Sequence, residues 1–159
     1  MRKTLLTICM LLSIAVCNSN AQVKTKYGDD VSTLDGIIKA YYDVVTVKKG
    51  EKVSYERDSL LHIANVRVGA AGVNEKGMAV FHYFTLKEFH KKTDPFIEKD
   101  GFIEKEVQRN VQHVGNIYNV WSTYVSKHTP DGPVIERGIN SIELFYDGSR
   151  FWIIGWFYD

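Results

Sequence analysis

The stretch 137–159, RGINSIELFYDGSRFWIIGWFYD, permits few folds. It reads as two apolar strands joined at Asp147-Gly148. Asp-Gly between alternating apolar runs is the strongest short-range hairpin signal. Side chains alternate across a strand. Asn140, Ile142 and Leu144 therefore share one face of the first strand, with Ile139, Ser141, Glu143 and Phe145 on the other. On the second strand Trp152, Ile154 and Trp156 oppose Phe151, Ile153 and Phe157. That strand is apolar on both faces, so both need cover. The core covers one; a second subunit, a loop or an N-terminal tether covers the other.

The opposite end reads as a targeting segment. Arg2 and Lys3 precede an apolar run over 5–16, and Ser19-Asn20-Ala21 places small residues where a signal peptidase reads them. The run is shorter than the roughly 20 residues a membrane span needs. The expectation is a signal peptide over 1–21, a tether over 22–29 and one domain over 30–159, in a periplasmic or secreted protein. Both cysteines, Cys9 and Cys17, fall in that leader. The remainder then has no disulfide, thiol nucleophile or thiolate metal site. Loss of Arg2 and Lys3 takes the formal net charge from +1 to −1. A near-neutral chain without a basic run gives no reason to expect nucleic acid or an anionic membrane as partner.

Between these ends the periodicity changes once. Ser32 caps a helix whose apolar residues Leu34, Ile37, Ile38, Tyr41 and Val45 recur at helical spacing, ending near Val47. A shorter helix is expected over 54–62, a short strand over 65–68 and another over 78–85. Thr85 and Glu88 fit a capping box, opening a helix expected to stop at Lys92, ahead of Asp94-Pro95. From Phe102 onward the period is two: a strand over 103–113, a turn at Gly115-Asn116, a strand over 117–127, a loop over 129–133 and the terminal hairpin. Helices segregated from a mostly antiparallel sheet make an α+β domain.

This order, and the residues that punctuate it, resembles the nuclear transport factor 2-like superfamily. That fold is shared by ketosteroid isomerase, scytalone dehydratase and the SnoaL-like cyclases, and an exported bacterial subgroup of it is the nearer resemblance. The carrying stretches are 41–45 (YYDVV), 55–64 (YERDSLLHIA), 101–106 (GFIEKE), 115–124 (GNIYNVWSTY), 137–144 (RGINSIEL) and 150–154 (RFWII). The resemblance implies a cone in which a curved sheet wraps the helices around an apolar cavity. It also implies a homodimer through the sheet. It does not carry the isomerase chemistry: Val68 stands where the base aspartate would fall, and 117–127 holds no carboxylate.

Two functions compete on this reading. One is a binding module for a small apolar molecule; the other is an acid–base enzyme of the dehydratase, cyclase or isomerase kind. A purely structural or partner-binding protein with a filled cone is the third. The expected cavity residues are Tyr41, Tyr42, His62, Asn119, Trp121 and Asn140. Tyr41 or Tyr42 matches the helix-one tyrosine of the isomerases. His62, at the end of the second helix, and Tyr42 are the catalytic candidates, with His113 beside them. Asn140 interrupts an apolar row, and a polar group inside a core needs a partner or a ligand. His90 and His128 read as solvated. Arg109 and Arg137 lie among carboxylates that can pair with them across strands. No metal-ligand spacing, phosphate loop or nucleophile elbow is present, and no cofactor is expected.

Overall fold

The structure, a computed structural model, describes residues 29–159. The leader expected over 1–21 and most of the tether lie outside the described residues. After a 3-10 turn at Asp29–Val31 come α1 (Leu34–Val45), α2 (Tyr55–Ser59), β1 (His62–Val73), β2 (Ala79–Thr85) and α3 (Leu86–Asp100). Four strands follow: β3 (Ile103–Val114), β4 (Ile117–Lys127), β5 (Glu136–Tyr146) and β6 (Phe151–Tyr158). They form one six-stranded sheet in the order β2-β1-β6-β5-β4-β3, antiparallel except where β1 runs parallel to β6. The α+β class and the order of two helices, two strands, a helix and four strands are as the sequence reads. Among the described residues no helix is long and apolar enough to cross a membrane.

The terminal hairpin closes the core as its pattern requires. Asp147 Oδ1 accepts from Ser149 N at 2.8 Å and Arg150 N at 2.9 Å, Oδ2 accepts from Trp152 Nε1 at 2.7 Å, and Gly148 takes φ +94°. One feature of β6 departs from strict alternation. Glu143 pairs with Gly155 and Leu144 with Ile153, leaving Ile154 as an extra residue. Such a bulge shifts the alternation by one. Trp156 is thereby moved to the inner face with Phe151 and Ile153, away from Trp152 and into the core.

Four expected boundaries differ, the widest at β1, a short strand expected over 65–68 that spans His62–Val73. Thr33, not Ser32, caps α1, its side chain accepting from Gly36 N at 3.0 Å. α2 is only Tyr55–Ser59, and His62 opens β1 instead of closing a helix. α3 runs past Pro95 to Asp100. Proline removes one helical N–H, but Pro95 and Lys91, whose carbonyl loses that bond, both lie on the exposed side of α3, where water satisfies it. The Thr85–Glu88 capping box forms, with Thr85 N donating to Glu88 at 2.8 Å and Glu88 N to Thr85 Oγ1 at 3.2 Å.

Helix α1 lies on the concave face of the sheet. Ile37, Ile38 and Tyr41 pack there with Leu61, Val68, Val120, Ile142, Leu144 and Ile153, most of them inaccessible to solvent. The end of α1 is clamped to the start of β3: Val47 N donates to Phe102 O at 2.8 Å and Phe102 N to Val47 O at 2.9 Å. Thr46 Oγ1 accepts from Glu104 N at 3.1 Å. Gly101 turns the chain from α3 into β3 at φ +79°, and a Cβ there would stand 2.7 Å from His128 O. This clamp fixes where Glu104 stands relative to α1.

Candidate functional site

The cone is not filled. Between α3 and the concave face of the sheet lies a cavity of about 270 Å3, near the lower end of the size range of small-ligand pockets. Its walls are largely aromatic. Phe89 meets Trp156 edge-on with centroids 4.8 Å apart, and Tyr41 meets the same indole at 5.6 Å. The i, i+3, i+4 rhythm of α3 sends Phe89, His90, Thr93, Asp94 and Ile97 to this side. The sheet supplies Glu104, Tyr124, Glu136, Asn140 and Tyr158.

The sheet side holds a directed hydrogen-bond chain. Asn140, 2 % exposed, donates through Nδ2 to Glu104 Oε1 and to Tyr42 Oη, both at 3.3 Å. Having accepted from Asn140, the Tyr42 hydroxyl donates to Ser122 Oγ at 2.6 Å, and Ser122 donates to Glu106 at 2.6 Å. Arg109 closes the chain, gripping Glu106 through Nε and Nη2 and Asp35 through Nη1. Burial pushes Glu104 up to about 7, with Glu136 adding to the rise and the Asn140 bond opposing it. Burial also raises Tyr42 to about 12, against its bonds with Ser122 and Asn140. Glu104 is thus a carboxyl group that exchanges its proton near neutrality at a cavity wall.

The helix side holds a second network. Asp58 is buried, and its Oδ2 faces His90 Nε2 at 2.8 Å. The other ring nitrogen of His90 faces both oxygens of Asp94 at 3.0 Å. Burial disfavours a charge on His90, but the bonds and charges of Asp58 and Asp94 outweigh it and raise its pKa. Both nitrogens donate only in the imidazolium form. Burial raises Asp94, partly offset by His90. Behind the wall, Trp156 Nε1 donates to His62 Nε2 at 3.1 Å, so the His62 proton sits on Nδ1, which meets Asp58 O at 2.8 Å. Burial lowers the His62 pKa, only partly opposed by Asp58, and keeps the ring neutral.

The sequence expectations meet this geometry unevenly. Tyr41 and Asn140 line the cavity. Tyr42 does not line it and acts one bond behind, through Asn140. His62 is screened by Trp156 with both ring nitrogens engaged, and His90, though on the cavity wall, has both of its nitrogens on carboxylates, so the acid–base candidacy passes from His62 and Tyr42 to Glu104. Trp121 and Asn119 are corrected outright: they stand on the outer face of β4, opposite the inward row Val120, Ser122 and Tyr124. Trp121 is 43 % exposed, and Asn119 bonds to Ser141 at 3.1 Å and to Glu143 on the same outer face. His113 is exposed and stacks on Tyr118 with centroids 4.9 Å apart. His90, expected in solvent, is buried, while Arg109 is ion-paired as expected but with Glu106 of its own strand and Asp35 of α1, not across strands. Among the described residues no group of three or more His, Cys, Asp or Glu is placed to hold a metal ion.

No protein-family model matches the chain, and no curated protein matches it significantly. Solved structures do. A protein described as the beta subunit of a putative aromatic-ring-hydroxylating dioxygenase, from Novosphingobium aromaticivorans, superposes with TM-score 0.54 at 14% identity, over 87% of this chain and 91% of that one. A nuclear transport factor 2-like protein of unknown function from Shewanella baltica superposes with TM-score 0.50 at 9% identity, over 77% and 86%. The chain has the nuclear transport factor 2-like fold. The association domain of C. elegans CaMKII is similar too, with TM-score 0.53 at 12% identity, over 77% and 89%. At such identities the likeness carries the fold and no chemistry. In this nuclear transport factor 2-like domain any functional reading rests on the residues of the cavity itself. Glu104 escaped the sequence reading because GFIEKE looks like a solvated strand start. Its one signal was that Glu104 and Glu106 share a face of β3.

Proposed function

We propose that the domain binds a small, largely apolar molecule in the cavity between α3 and the sheet, with Glu104 and Asn140 directing it. The observation that carries this reading is the cavity itself: aromatic walls with a few polar groups, Glu104, Glu136 and Asn140 on the sheet and His90 and Asp94 on α3, the usual composition of a small-molecule site. A thermal-shift screen of lipophilic metabolites tests it, since a ligand that binds only the folded state raises Tm. The control is Thr93→Trp, which fills the cavity from α3. Ligands should stabilise the wild type and not the filled variant; equal stabilisation of both would overturn the reading.

One observation favours a second reading, acid–base catalysis. Glu104 titrates near neutrality, where a general acid or base works best. Turnover lost in Glu104→Gln with affinity retained would promote it.

Two expectations extend the proposal. Self-association through the outer sheet face is supported by exposed Phe81, Tyr83, Trp121 and Ile139, and light scattering showing only a monomer at micromolar concentration would remove it. Export with cleavage after Ala21 is supported by the leader-like sequence over 1–21, and mass spectrometry of the native N-terminus decides it.

A further inference from the structure

We propose that the cavity selects an organic cation, a small amine or quaternary ammonium compound with an apolar body. This rests on the reading of the cavity as a ligand site. Six aromatic residues line it: Tyr41, Phe89, Phe102, Tyr124, Trp156 and Tyr158. The negative faces of such rings attract cations, most strongly where water is excluded. Three carboxyl groups, Asp94, Glu104 and Glu136, share the lining, and among the described lining residues there is no lysine or arginine. The one basic group is His90, whose two nitrogens are taken by Asp58 and Asp94. Its charge is therefore matched inside the wall. Glu104 and Glu136, in contrast, face each other's charge without a basic partner at the cavity. An anion would meet two acids there and no counter-charge; a neutral molecule would leave their attraction unused.

The same groups make binding depend on pH. Glu104 is faced by Tyr41 and Tyr42 of α1, Tyr124 of β4, Glu136 and Asn140 of β5 and Tyr158 of β6, with His90 and Asp94 of α3 across the cavity. The four tyrosines all have raised pKa values and stay neutral at physiological pH. In the empty cavity burial holds Glu104 at about 7. A bound cation favours its carboxylate and expels the proton. Affinity for the cation should then rise about tenfold from pH 6 to pH 8. His90 would shift affinity in the same direction as it loses its proton, so Glu104→Gln is needed to separate the two.

Isothermal titration calorimetry tests this with three phenyl probes of similar size: benzyltrimethylammonium, 3-phenylpropan-1-ol and 3-phenylpropanoate. At pH 8 the cation should bind about tenfold or more tighter than the alcohol and the carboxylate. In Glu104→Gln that preference should shrink and the pH dependence flatten. Glu136→Gln, at an exposed position where folding is not at stake, should weaken the cation and spare the alcohol. An alcohol or carboxylate bound as tightly as the cation, or a cation affinity unchanged in both variants, overturns this inference and leaves the ligand site standing. Absence of binding by all three probes overturns both.

Discussion

Replacing Glu104 by Gln should change how stability depends on pH. The carboxyl group is raised from its usual 4.5 to about 7 by burial. Below about pH 4.5 it is protonated in both the folded and the unfolded chain. Between there and about pH 7 the unfolded chain releases the proton while the folded protein keeps it. The folded state then binds more protons, so the unfolding free energy falls as pH rises. Above about pH 7 both states are ionised and the loss is complete. At about 1.4 kcal/mol per pH unit the loss approaches about 3 kcal/mol. Glutamine keeps the shape of the protonated acid and its carbonyl still accepts from Asn140, but it cannot ionise. The stability of Glu104→Gln relative to wild type should therefore grow by up to about 3 kcal/mol between pH 4 and pH 8. Urea unfolding of both proteins across that range measures the difference. His62, His90 and Asp94 also titrate abnormally, but they are common to both proteins and largely cancel. Two stability curves parallel to within about 0.5 kcal/mol would refute the burial argument for Glu104.

Trp156→Phe removes the N–H that His62 Nε2 accepts and leaves a buried acceptor unsatisfied, costing about 1–3 kcal/mol in urea unfolding. Gly101→Ala combines a left-handed backbone with a contact at 2.7 Å to His128 O, whereas Gly50→Ala has φ +85° and open space around it. The first should therefore lower Tm clearly more than the second, which loses only the conformational term of about 1 kcal/mol.

What the sequence could show followed the range of the interactions. The terminal hairpin, the Thr85–Glu88 cap and the Gly115-Asn116 turn are local, and the chain spells them out. Asn140 was legible as a polar break in an apolar row. The phase of β6 was not, because one bulged residue at Ile154 puts Trp152 and Trp156 on opposite faces, where strict alternation puts them on the same one. The face of β4 was not legible for a related reason. Asn119, Trp121 and Thr123 look as suited to a cavity as Tyr118, Ser122 and Tyr124 until α1 is seen to cover the second set. The Asp58–His90–Asp94 cluster joins α2 to α3 across 32 positions of chain. Only its local half, Asp94 four residues after His90, could have been read, and the expected helix end at Lys92 hid it.

The claim at the centre of this account is that ligands enter the cavity between α3 and the sheet. The protein has three tryptophans, and their indole N–H groups report on different places. Trp156 lines the cavity and donates to His62, Trp152 donates to Asp147 at the hairpin turn, and Trp121 is exposed on the outer face. A 1H–15N correlation spectrum recorded during titration with benzyltrimethylammonium or 3-phenylpropan-1-ol follows all three at once. The Trp156 indole signal should move with saturation while those of Trp121 and Trp152 hold still. Movement of Trp121 with Trp156 unmoved would place binding on the outer face and contradict it.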